Sequence, residues 1–168
     1  MVDKHETVTQ KWGDVQTQYQ RRSDLIPNLV STVKGYADFE QETLTQVVEA
    51  RAKATGITVN ADEITPENIQ KFQAAQSQLS GALSRLLVTV ERYPDLKANT
   101  NFRDLQAQLE GTENRISVAR QKFNEAVKDY NSYIKKFPRV FYAGWFGLES
   151  KGYFEADAGT ENAPKVEF

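Results

Sequence analysis

FRDLQAQLEGTENRISVARQKFNEAVKDYNSYIKKF, residues 102–137, returns an apolar side chain at gaps of three and four: Phe102, Leu105, Leu109, Ile116, Ala119, Phe123, Val127, Tyr130, Ile134 and Phe137, with Thr112 in the one empty seat. Such spacing keeps a single stripe on one face of an unbroken helix. At ~1.5 Å per residue the helix reaches about 54 Å, too long for the interior of a mixed domain and a natural length for the stave of a bundle. Pro138 ends it.

The remaining chain follows the same pattern. Val8, Trp12, Val15 and Tyr19 mark a first helix over 3–21. Ser23 or Asp24 can cap a second over 24–54, with Pro27 in its first turn and Ile26, Leu29, Val30, Val33, Tyr36, Leu44, Val47 and Val48 turned inward. The heptad also runs straight through Arg22, Ile26 and Leu29, so one kinked helix is the alternative; a turn between 21 and 24 is the preferred reading. Residues 56–65 lack a helical period and read as a surface loop. Thr65-Pro66 starts a third helix over 66–93, closed by Pro94. The fold class is therefore all-α, with four long helices and an irregular tail over 138–168. Gly35, Gly81 and Gly111 fall inside predicted helices, where close packing against a neighbouring helix is the simplest reason for them.

A chain of 168 residues, 39% hydrophobic, suffices for one domain with a real core. With 21 Lys and Arg against 23 Asp and Glu there is no electrostatic footprint for nucleic acid or anionic lipid. No run of about 20 apolar residues is present to span a bilayer, and the first residues lack the apolar segment of a signal peptide, so the chain as given is expected to be soluble.

Chemistry is hard to place. There is no cysteine and one histidine, His5, near a terminus expected to fray, which argues against structural zinc and a serine–histidine triad. Glu-x-x-His pairs and phosphate-binding glycine loops are absent. No catalytic residue, metal site or cofactor is expected.

Two groups stand out instead. Arg21, Arg22, Asp24 and Asn28 near one junction, and Glu110, Glu113, Asn114 and Arg115 along the last helix, lie on or beside the apolar stripes, with Arg120, Asn124 and Asn131 further along. Buried charges need partners, so Arg22 or Arg115 should pair with Glu110, Glu113 or Asp24. A polar network fixing helix register is preferred over a ligand pocket. In the tail, Phe141, Tyr142, Trp145, Phe146, Leu148, Tyr153 and Phe154 crowd together. Folding back over the bundle is the simpler account; the alternative is a docking surface, with Phe141, Tyr142, Trp145 and Phe146 as its candidates, for a partner or the membrane interface.

WGDVQTQYQRRSDLIPNLVSTVKGYADFEQETL at 12–44, EARAKA at 49–54, ERYPDLKANTNFRDLQAQLEGTENRISVARQKFNEAV at 91–127 and APKVEF at 163–168 resemble the LemA family of bacterial envelope proteins. The resemblance covers nearly the whole chain and implies an antiparallel four-helix bundle carried behind one N-terminal transmembrane helix, hence a single-pass address in the bacterial membrane. That helix is missing from this chain, which is expected to be a trimmed domain. The family has no assigned reaction, so its motif residues, such as Arg22, Asp24, Pro27, Glu113 and Arg115, imply no active site. The expected function is a non-enzymatic interaction or scaffold domain that meets other envelope proteins. The alternative is a sensory domain that binds a small anionic or zwitterionic molecule through Arg22 and Arg115.

Overall fold

The computed structural model describes residues 1–36 and 39–155, and their regular structure is all helical. Six helices follow one another: α1 (Val2–Lys34), α2 (Gln41–Gly56), α3 (Pro66–Val90), α4 (Pro94–Lys97), α5 (Thr100–Lys135) and α6 (Arg139–Trp145), with a 3-10 turn at Ala61–Glu63 before α3. The end of the expected tail, 156–168, with the APKVEF motif, lies outside the described residues.

The first correction concerns α1. The expected turn between 21 and 24 does not exist; α1 runs unbroken for 33 residues with Pro27 inside it, and the chain reverses only between α1 and α2. The apolar stripe explains this, because Val8, Trp12, Val15, Tyr19, Ile26, Leu29, Val30 and Val33 are all buried and share one face. Breaking the helix at Ser23 would have thrown half of that stripe out of register. Proline removes one main-chain N–H from a helix interior, and the carbonyl it orphans is that of Ser23. Arg51 of α2 supplies the missing donor, its Nε 2.9 Å from the Ser23 oxygen. Gly35 accordingly caps α1 rather than sitting mid-helix.

The other helix starts follow local chemistry. Thr65 accepts from the main-chain N–H of Asn68 with Pro66 in the first turn of α3. Asn99 accepts from the N–H of Phe102 to start α5. The stripe of α5 is buried from Phe102 to Ile134 with Thr112 in its seat, except for Leu105, which is only partly buried, and Phe137 lies beyond the helix and is 81% exposed. Val48, expected to point inward, is exposed. The 56–65 segment is not simply a surface loop: Val59 and Ile64 are buried, and the Val59 carbonyl accepts from Trp12 Nε1 at 2.9 Å and Gln16 Nε2 at 3.0 Å.

Contacts between α1 and α5 pair rising numbers with falling ones: His5 with Tyr130, Trp12 with Phe123, Arg22 with Glu113. Between α1 and α3 the numbers rise together, Trp12 meeting Phe72 and Arg22 meeting Gln76 and Ser80. The apolar interior divides into two clusters. One gathers Val8 to Tyr19 of α1, Ile69 and Phe72 of α3, Ile116 to Ile134 of α5 and Phe154. The second holds Ile26 to Val33 of α1, the buried face of α2, Leu79 to Val90 of α3, and Leu96, Phe102 and Leu109. Arg22 sits at the level between them.

The glycines inside α3 and α5 do not mark close helix crossings. A Cβ built on Gly81 would meet nothing within 4 Å, and one on Gly111 would meet only its own helix's Arg115 side chain at 3.9 Å.

Candidate functional site

Arg22 is the charged side chain that the fold takes inside, at 1% exposure. Its Nη1 donates to Ser80 Oγ at 2.6 Å and to Glu113 Oε1 at 3.0 Å; Nη2 donates to the Gln76 side-chain oxygen at 2.6 Å and to the Gln76 carbonyl at 3.1 Å. Gln76 and Ser80 are four apart on α3, so both face the same point from successive turns. The guanidinium also lies 5.1 Å from the centre of the Tyr19 ring, within cation–π range. A cation in a dry interior is tolerated only when opposed by charge and hydrogen bonds, and these partners supply both. Glu113 reaches in from the surface, its side chain still 46% exposed, so it neutralises Arg22 without itself being desolvated. Tyr19, buried beside the cluster, is held above its ordinary value of 10.0 by burial, with Arg120 and Arg22 pulling the other way.

Of the expected group, the fold brings together Arg22 and Glu113 alone. Arg21, Asp24, Asn28, Glu110, Asn114 and Arg115 are exposed. Asp24 accepts from Gln20 one turn back. Arg21 and Arg115 line an open groove between α1 and α5 with Asn114 and Lys122, and Arg115 forms no ion pair among the described residues. Gln76 and Ser80 were missed because a lone amide and a lone hydroxyl on an apolar helix leave no signal until the partner's position is known. Among the described residues no group of three or more histidines, cysteines or carboxylates is placed to hold a metal ion. His5 lies within α1, its ring 6.1 Å from that of Tyr130 on α5.

The tail expected to be irregular instead opens with the helix α6 over Arg139–Trp145, and it does two things. Residues 148–155 form an extended strap along α5 and α3, tied by side-chain amides that each bond one residue's N–H and C=O. Asn131 serves Lys151 (2.8 and 3.0 Å), Asn124 serves Phe154 (2.9 and 2.9 Å), and Gln73 serves Glu155 (3.0 and 2.8 Å). The spacings match: seven residues of helix rise about 10.5 Å, and three of extended chain about 10 Å. Phe154 plugs the core, its ring centre 5.5 Å from Phe123 and 6.0 Å from Trp12. Gly152 lies so close to Thr65 and Pro66 that a Cβ would come within 2.8 Å of their backbone. In contrast Phe141, Tyr142, Trp145 and Phe146 stay exposed on α6, and only its Ala143 is buried.

No helix among the described residues is long and apolar enough to cross a membrane. The chain is 27% identical over 123 residues to Protein LemA of Metamycoplasma hominis, covering 73% of this chain and 52% of that protein. It is 26% identical to Magnetosome protein MamQ of Magnetospirillum gryphiswaldense, covering 94% and 65%, and 25% identical to MamQ 2 of Paramagnetospirillum magneticum, covering 92% and 63%. It thus spans between half and two thirds of the length of these relatives. The LemA family profile matches residues 11–168. With that match extending over most of its length, the chain belongs to the LemA family.

Proposed function

We propose that this chain is the helical domain of a membrane-anchored bacterial envelope protein, built as an antiparallel four-helix bundle of α1, α2, α3 and α5, and that it acts as a non-enzymatic interaction scaffold for other envelope proteins. The opposed numbering of the α1–α5 contacts, and the parallel numbering of α1–α3, support the bundle. The relatives' names state a family and a place, the magnetosome, and no reaction. The observation that carries the scaffold reading is Arg22: its hydrogen bonds go to Ser80, Gln76 and Glu113 of neighbouring helices, which leaves the polar cluster as a brace.

A sensory reading has one observation of its own, the open groove that holds Arg21, Arg115 and Lys122. Guanidinium pairs suit carboxylate or phosphate. Thermal-shift titration with inorganic phosphate, acetate and the common amino acids separates the two. The scaffold reading expects no saturable rise in melting temperature; a rise abolished by Arg21→Ala with Arg115→Ala would replace it with the sensory one. Photocrosslinkers on exposed faces of the anchored protein in intact cells should give discrete adducts with envelope proteins, and a clean absence of adducts from every face would count against a scaffold.

A further inference from the structure

The feature that the brace and the strap do not use is α6. From Tyr130 to Leu148 the sequence contains no acidic residue and three cations, Lys135, Lys136 and Arg139. Over the same stretch Phe137, Val140, Phe141, Tyr142, Trp145 and Phe146 are exposed, Trp145 at 88%. A monomer rarely leaves so many large apolar side chains together in water. The segment is not loose. Ala143 is buried in the core cluster, its carbonyl accepts from the N–H of Leu148 at 2.9 Å, and Gly147 takes a positive φ of 64° to turn the chain back into the strap. The aromatics are thus held outward by a fixed frame.

We infer that α6 and its flanks form a lipid-contacting foot, which seats Phe141, Trp145 and Phe146 among the headgroups of an anionic bilayer while Lys135, Lys136 and Arg139 meet the lipid phosphates. Tryptophan, tyrosine and phenylalanine beside lysine and arginine, with carboxylates excluded, is the composition that favours a membrane–water interface. The chain as a whole carries a net charge of −2 and offers no general footprint for anionic lipid, but the local excess of Lys135, Lys136 and Arg139 selects an anionic surface over a neutral one at this end. Placement agrees: Ala143 shares its core cluster with Val8, and His5 lies against Tyr130, so the foot stands at the end of the domain where α1 begins. The inference rests on the membrane-anchored reading for its setting, but lipid contact by the foot is a property of this chain alone.

The two tryptophans provide the test, because Trp12 is buried at 1% and Trp145 is largely in water. The purified chain is mixed with vesicles of phosphatidylcholine and phosphatidylglycerol, and separately with phosphatidylcholine alone. Anionic vesicles should shift the emission to the blue and, when their acyl chains are brominated, quench it. Lys135→Gln with Lys136→Gln should lower partitioning on the order of tenfold. Trp145→Ser with Phe146→Ser should abolish co-sedimentation with vesicles and leave the melting temperature unchanged, since both side chains are exposed. Unchanged emission at high lipid overturns the foot, as does undiminished sedimentation of the double serine variant. A blue shift that grows with protein concentration in the absence of lipid would assign the patch to a second copy of the chain instead. None of these outcomes touches the thermal-shift and crosslinking tests of the scaffold.

Discussion

Arg51 donates from Nε to the main-chain carbonyl of Ser23 at 2.9 Å, filling the place that the N–H of residue 27 would take were it not proline. The side chain of one helix thereby completes the hydrogen bonding of another, which is how a 33-residue helix keeps a proline in its interior. Arg51→Met should cost about 1–2 kcal/mol, the worth of a charged donor on a half-buried carbonyl. In a Pro27→Ala background, where the helix supplies its own N–H, most of that cost should vanish. A double-mutant cycle by urea denaturation checks it; equal costs in the two backgrounds would refute the linkage.

The Arg22 brace makes a second prediction. Arg22→Ala leaves the Gln76 amide and Ser80 hydroxyl without their donor and a cavity beside Tyr19, while Glu113 stays in water, and should destabilise by about 2–4 kcal/mol. Replacing the whole cluster, Arg22→Met with Gln76→Leu and Ser80→Ala, should be near neutral or stabilising, because the side chains that bonded the guanidinium inside are removed with it. Chemical denaturation of both variants distinguishes a brace of this kind from one whose charge is needed for folding.

Gly81 and Gly111 should each accept alanine. With no neighbouring atom for a Cβ to strike, the substitution gains helix propensity and restricts the unfolded chain, raising stability by about 0.5–1 kcal/mol per site. A lower melting temperature for either variant would show that the glycine serves something outside this fold.

The strap should be separable from the helices. Asn124→Ala or Asn131→Ala deletes a two-way bond to the strap backbone and should cost about 1–3 kcal/mol. Phe154→Ala empties a core seat at about 3–5 kcal/mol. Gly152→Ala should lift the strap off Thr65 and Pro66. Limited proteolysis within 148–155 reports all of these directly, with faster cleavage expected in every case.

Tyr19, like the buried Tyr130, makes the fold sensitive to high pH. Burial raises its folded value above the ordinary 10.0, so the folded chain holds the phenolic proton more tightly than the unfolded one. Its contribution is intact below pH 10.0 and is lost as pH rises through the higher folded value. Melting temperatures measured across that range should fall less steeply in Tyr19→Phe than in the parent chain.

How much of this was written in the sequence varies from one element to the next. The 102–134 stripe was legible because a three-four spacing over nine turns admits one secondary structure, and Thr65-Pro66 marked a helix start by chemistry that acts within one turn; Pro94, read as closing α3, instead opens α4 after α3 has ended at Val90. Pro27 misled, because the compensating donor lies 24 residues further along on another helix. Arg22 and Glu113 were legible only as members of a set of possible ion pairs, and Gln76 and Ser80 not at all, since both the choice of pair and their role depend on which turns of α3 and α5 face α1. Asn124 and Asn131 stood out as amides on an apolar face; that they hold the strap depends on where residues 151 and 154 return.

By itself the sequence determined what acts over short range: helical class, most of each buried stripe, the Thr65 helix cap and the resemblance to LemA proteins. Tertiary structure alone decided where the chain reverses, which carbonyl Arg51 completes, that the polar residues close on one another across three helices, and that Phe154 goes in while Trp145 stays out. The physical reason is range. Periodicity and capping are fixed by neighbours within about four residues, whereas the partners of a buried cation, an orphaned carbonyl or a tail aromatic are set by how whole helices pack.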